Sequence, residues 1–123
     1  AAHAGWRGVD AGVPARAFAA VKAAAGERAD IRVYFGPCIR PCCYVVGPEV
    51  AERFSPEVLR TRDGAHYLDV PAAAALLLRE AGLPQRCLHD VGECTACRAE
   101  RYFSHRRDRG VTGRQWGVVA LAS

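Results

Sequence analysis

Apolar residues recur at helical spacing over two stretches of this 123-residue chain. In the alanine-rich segment 10–30, Val13, Ala17, Phe18, Val21 and Ala25 fall near one face. Pro14 is tolerated in the first turn and Gly26 ends the run. The segment 69–82 predicts the clearest helix, with Asp69 as N-cap, Pro71 in the first turn and Gly82 at the stop. Shorter β-branched or apolar runs at 31–35, 85–91 and 115–122 predict strands. Between them, "GPCIRPCCYVVG" (36–47) reads as a Pro/Gly-bounded loop entering a short helix at 48–54, and 55–69 as a surface linker ending in an extended piece. The opening "AAHAG" reads as the last step of a further strand. This order predicts an α/β fold with a mixed sheet.

Half of the chain is apolar, 8% is aromatic and 24% charged, enough for one buried core in a single domain 1–123 and too much for a disordered chain. The net charge is +4, and much of the excess lies in "RAERYFSHRRDRG" (98–110). So small a charge, with aromatics not interleaved on a basic face, argues against nucleic-acid binding. No run of 18 apolar residues and no leader pattern occur, so neither a membrane partner nor secretion is expected, and the location expected is cytoplasmic. The chain contains no Met and opens on what reads as a strand end, so the N-terminal part of a larger domain is expected to be missing.

Six cysteines, Cys38, Cys42, Cys43, Cys87, Cys94 and Cys97, allow a disulfide framework, a metal site or free thiols. "CTAC" (94–97) has the CxxC spacing of zinc sites and redox pairs, but no second CxxC stands at ribbon spacing. The polar residues that follow it lack the apolar stripe of a redox helix. Simple reduced thiols are the expectation.

Two loops can carry chemistry. In "HAGWRG" (3–8), Gly5 and Gly8 let backbone N–H groups approach a ligand, and a following helix would favour an anion. Arg7 supplies a planar fork for phosphate or carboxylate, and His3 a metal ligand or acid–base group. The same residues equally suit a tight turn with a packed Trp6, a solvated Arg7 and a hydrogen-bonded His3. "SHRRD" (104–108) is either a solvated basic loop or a loop with one Arg facing a substrate pocket.

Taken in order, "HAGWRG", "GPCIRPCCYVVGPEV", "YLDV" and "CTAC…YFSHRRD…TGR" resemble the motifs of the YfiH/PgeF family, also called multicopper polyphenol oxidase or laccase-domain proteins. The match covers nearly the whole chain. It implies an α/β sandwich with mixed strands, of the kind shared with cytotoxic necrotizing factor catalytic domains. It also implies a zinc-dependent enzyme of purine nucleosides, cleaving adenosine or inosine with phosphate and in some members deaminating adenosine. Its partners would be the nucleoside and phosphate alone, and a monomer is expected.

In the family the zinc is held by a His of a Gln-Val-His-Gly motif, a Cys of a Thr-Ala-Asp-Cys motif and the His of "HAGWRG". Only the last is present, as His3, so the resemblance assigns His3 as ligand and catalytic residue, with Arg7 and Gly5 at the substrate or phosphate. By the same resemblance Cys38, Cys42 and Cys43 are not the zinc ligands, and Cys94 and Cys97 have a structural role. Val45 stands where Glu is usual and Arg40 where Gly is common. Alternative readings are peptidoglycan editing, a copper polyphenol oxidase, for which four His are too few, and an inactive truncated domain.

Overall fold

The computed structural model describes residues 1–121. Its elements in chain order are α1 (Trp6–Asp10), α2 (Val13–Ala25), β1 (Val33–Phe35), β2 (Val45–Val46), α3 (Pro48–Ala51), β3 (Leu59–Arg62), β4 (Ala65–Leu68), α4 (Val70–Glu80) and β5 (Leu88–Asp90). Single 3-10 turns precede β3 and β5, at Pro56–Val58 and Gln85–Cys87. The strands form two small sheets: β1 pairs parallel with β5, and β2, β4 and β3 form an antiparallel sheet in that order. The fold is therefore mixed α/β.

α4 forms where local signals predict it. Asp69 accepts a hydrogen bond from the Ala72 N–H at 3.0 Å, satisfying one free amide of the first turn. At the other end Gly82 adopts a φ of 98°. Its N–H bonds the Arg79 carbonyl, and the Leu83 N–H bonds that of Leu78. Leu83 then packs on Leu78, which completes a Schellman stop.

Segment 10–30 carries one helix, α2, with Pro14 in its first turn and Gly26 at its stop as expected; Ala11 and Gly12, the latter at φ 78°, separate it from the single turn of α1 that precedes it. The stretch read as a surface linker is corrected: 59–68 forms the β3–β4 hairpin, turning at Asp63 and Gly64, which both have positive φ.

The main core gathers Val9, Val46, Val50, Val58, Leu68, Ala73 and Ala74 between α1, α4 and the antiparallel sheet, and Leu68 is fully buried. A second cluster joins Phe18 of α2, Leu78 of α4, Leu83 and Cys87 beside β1 and β5. No strand forms at 1–5 or at 115–121 among the described residues, in contrast to the apolar alternation there; Ala122 lies outside them. Trp116 is 90% and Leu121 99% exposed, so the C-terminal run has no surface to pack on. A strand needs ladder partners as well as a pattern.

Candidate functional site

The "HAGWRG" stretch is the N-terminal corner of α1 rather than a loop before a long helix. Gly5 is its N-cap, at φ −72° and ψ −175°, a conformation open to any residue. Nor does space require glycine there: a Cβ would make only an ordinary contact with His3 Nε2, at 3.9 Å. His3 is exposed, with its imidazole beside Gly5. A five-residue helix offers little dipole, which removes that part of the anion argument. Trp6 packs on the main core, and the exposed Arg7 guanidinium lies 4.4 Å from its ring centroid. Asp10, at the end of α1, accepts a hydrogen bond from Arg53 Nε at 2.8 Å, tying α1 to the segment after α3.

The two arginines of "SHRRD" divide their work. Arg107 is structural: its guanidinium donates to the carbonyls of Thr95 (2.9 Å) and Tyr102 (3.0 Å) and to both carboxylate oxygens of Asp108. Arg106 turns outward, donates to the Val45 carbonyl at 2.7 Å and lies 4.8 Å from the Tyr44 ring centroid. Burial pushes the Tyr44 hydroxyl up, and the positive charges of Arg106 and Arg7 pull it partly back. Arg7, Tyr44 and Arg106, from three separated segments, therefore share one electrostatic neighbourhood.

Behind Tyr44 the 36–47 loop is joined to the loop after β5. The Cys38 N–H bonds the Glu93 carbonyl at 3.3 Å, and the Thr95 N–H bonds the Cys38 carbonyl at 3.1 Å. Arg40 makes a two-pronged pair with Asp90, one contact being 2.7 Å. This answers the charge that stands where Gly is common.

All six cysteines are free thiols, as expected, and the same junction gathers four of them. Sγ atoms of Cys42, Cys43, Cys94 and Cys97 all lie within 4.8 Å of one another, a group that could hold a metal ion. Cys97 Sγ is 3.6 Å from that of Cys42 and 3.4 Å from that of Cys43. Burial raises the Cys42 thiol to about 11 and also raises that of Cys43. Cys94 goes the other way, to about 7: burial opposes ionisation, but backbone N–H groups of Arg40, Cys97 and Ala96 face its sulfur and outweigh it. Cys38 stands outside the group, its thiol pushed up to about 11 by burial.

A family model described as multi-copper polyphenol oxidoreductase laccase matches residues 1–122. The chain belongs to this family. Purine nucleoside phosphorylase YlmD of Geobacillus stearothermophilus is 37% identical over 127 residues, covering 96% of this chain and 46% of that protein. The human purine nucleoside phosphorylase LACC1 is 36% identical over 132 residues, covering 98% of this chain and 30% of that protein. The crystal structure of YlmD matches with a TM-score of 0.79 at 37% identity over 91% of this chain and 45% of that one. The Bacillus licheniformis hypothetical protein YfiH matches with a TM-score of 0.76 at 32% identity, over 89% and 44%. The chain spans about half the length, or less, of these relatives.

For this laccase-family chain the resemblance drawn from four motifs is confirmed, and the motifs do converge in space. "GPCIRPCCYVVG", "CTAC" and "SHRRD" meet at one junction, and the charge of Arg7 in "HAGWRG" acts on Tyr44 there. The histidines do not converge. His66 lies on β4 near Thr61, His89 stacks on Tyr34 with ring centroids 4.6 Å apart, and His105 is exposed. Among the described residues, the only group of three or more convergent metal-ligating side chains is the four cysteines. Sequence reasoning missed this group because its second pair is adjacent, Cys42-Cys43, rather than spaced as CxxC.

Proposed function

We propose that the protein carrying this chain is a purine nucleoside phosphorylase, with His3 a zinc ligand and Arg7 the contact to phosphate or substrate. The observation that carries the reading is Arg106 lying over the Tyr44 ring, with the positive charge of Arg7 also acting on the Tyr44 hydroxyl: cationic groups about an aromatic ring suit an anion next to a flat base. Family membership and relatives named purine nucleoside phosphorylase support it. In phosphorolysis a phosphate oxygen bonds to the ribose anomeric carbon as the bond to the purine nitrogen breaks. The base leaves with the bonding electrons and takes up a proton. Arg7 would hold the phosphate in line and offset charge as it redistributes.

His3 fits a zinc ion only in part. Its imidazole is exposed and so accessible to an ion, but a catalytic zinc takes three protein ligands and no companions converge on His3 among the described residues. The remaining ligands must come from elsewhere. A zinc ion completed there would supply Lewis-acid polarisation of a substrate oxygen. Copper oxidase chemistry, which needs several clustered imidazoles, gains no support from four dispersed histidines.

The test is made on the full-length enzyme, assaying adenine release from adenosine at several phosphate concentrations and measuring bound metal. His3→Ala should abolish turnover and remove the metal bound at that position. Arg7→Lys keeps the charge but loses the planar two-pronged contact, so it should retain metal and lose phosphate affinity, at a cost of about 1–3 kcal/mol. Wild-type behaviour of Arg7→Lys at every phosphate level would remove Arg7 from the anion site. Full activity and metal in His3→Ala would overturn the zinc assignment.

A further inference from the structure

We propose that Cys42, Cys43, Cys94 and Cys97 form a closed tetrathiolate site for one zinc ion, separate from the His3 position, that clamps the 36–47 loop to the 92–108 segment. The spacing is the first support. Four sulfurs around zinc at about 2.3 Å stand roughly 3.8 Å apart at the corners of a tetrahedron. Here the Cys97 sulfur is 3.4 and 3.6 Å from those of Cys43 and Cys42, and no pair in the group exceeds 4.8 Å. The array needs adjustments of only about an ångström to close on an ion of that size. It is too tight for an iron–sulfur cluster, whose cysteines sit on different irons.

The donor set is the second support. All four ligands are thiols, which select zinc and other soft ions against magnesium or calcium. Four sulfurs leave no open position, so the site would be structural rather than catalytic.

The surroundings are the third. Two guanidiniums bracket the group by gripping the backbone of each ligand loop. Arg62 donates to the carbonyls of Pro41 and Cys42 at 3.3 and 3.1 Å, and Arg107 to that of Thr95 at 2.9 Å. A zinc tetrathiolate carries a net charge of −2, which these cations and the N–H groups facing Cys94 offset. The two loops are also held together independently, by the backbone bonds between Cys38 and the 93–95 stretch, so the ligands are organised in advance. Exposed Cys42 and Cys97 give the ion a way in.

Binding involves no redox change. Each thiol gives its proton to solvent as its sulfur bonds to zinc, so one Zn²⁺ and four protonated thiols yield the complex and four protons. The consequence for function is positional. Tyr44 follows Cys43 directly, and Arg106 follows the segment anchored through Cys94 and Cys97, so the ion would fix the distance between the two. This site stands or falls independently of the nucleoside reading.

The experiment uses the full-length protein, reduced, stripped of metal and titrated with Co²⁺. An intense near-ultraviolet thiolate-to-cobalt band should appear at one equivalent, persist in His3→Ala and be displaced by zinc. Cys97→Ser changes an exposed residue and so tests the site without emptying the core. It should weaken zinc binding by more than the roughly 10–100-fold that loss of a mere supporting contact costs. In protein purified without added metal, Cys94→Ser with Cys97→Ser should remove one equivalent of zinc while leaving any held by His3. Absence of the charge-transfer band in wild type, or an unchanged zinc affinity in Cys97→Ser, would overturn the proposal. So would iron as the resident metal, or a disulfide joining Cys97 to Cys42 or Cys43 in protein kept from air.

Discussion

Replacing Asp90 by Asn keeps the side chain's shape and removes the charge that Arg40 answers. The Arg40 side chain is only 13% exposed, whereas that of Asp90 is 36% exposed. The pair thus lies between two regimes: exposed ion pairs contribute about 0.2–1 kcal/mol, and breaking a fully buried pair costs about 3–5 kcal/mol. Discounted for the solvent that reaches Asp90, the expected loss for Asp90→Asn is about 1–2 kcal/mol. Arg40→Gly should cost less, because the carboxylate it leaves behind can hydrate and the buried guanidinium is gone. The hydrogen bond from Arg40, helped by the Gly92 N–H and by the Arg40 charge, holds the Asp90 carboxyl below its ordinary range against the opposing effect of burial. A depressed folded-state pKa means that the stabilisation is complete above the unfolded value of about 3.9 and disappears as pH falls through the lower, folded value. Urea denaturation of wild type, both single variants and the double variant at pH 7 measures the coupling, read from midpoints at unchanged m. Repeating it in acid should leave the gap between wild type and Asp90→Asn intact down to about pH 4 and close it only as pH falls on through the lower, folded value. A loss under about 0.5 kcal/mol at pH 7, or a gap that stays open once Asp90 is protonated, would show that the ion pair does not stabilise the fold.

Three further outcomes follow from individual contacts. Leu68→Ala, at a fully buried position in the main core, should destabilise by about 2–5 kcal/mol in thermal or urea denaturation; under about 1 kcal/mol would show that the site collapses or that the core is misassigned. Asp69→Ala removes the α4 cap and should cost about 1 kcal/mol, most of it recovered by Asp69→Asn, which still accepts the Ala72 N–H. Arg106→Ala removes a positive charge that lowers the Tyr44 hydroxyl, so Tyr44 should ionise at still higher pH; tyrosinate absorbance, with Tyr44→Phe as reference, checks the direction, and a fall would place Arg106 elsewhere.

Those parts of the fold whose causes are local could be read from the residues alone. Asp69, Pro71 and Gly82 specify α4 through its own orphan backbone groups, so both ends were legible without knowing what the helix packs against. The turn at Asp63-Gly64 was equally local, yet the hairpin reads as linker because Arg60, Thr61 and Arg62 leave one strand with no apolar face. At 115–121 the apolar pattern was present and the strand was not, since pairing depends on a partner outside the segment. His3 and Arg7 were legible as a motif, but only the fold shows Arg7 sharing Tyr44 with Arg106, almost a hundred residues on.

The cysteine group lies furthest from local reading. Cys42-Cys43 and Cys94-Cys97 are about fifty residues apart, and although Cys94 and Cys97 have CxxC spacing, the adjacent Cys42-Cys43 does not read as its second half. The parallel pairing of β1 with β5 brings the loops that follow the two strands side by side, and the Cys38–Cys94 bridge sets them in register. Helix signals act through bonds a few residues long, whereas a metal site is a coincidence of positions in space. Here that coincidence is made by a crossover connection whose register the sheet, and not the local sequence, decides.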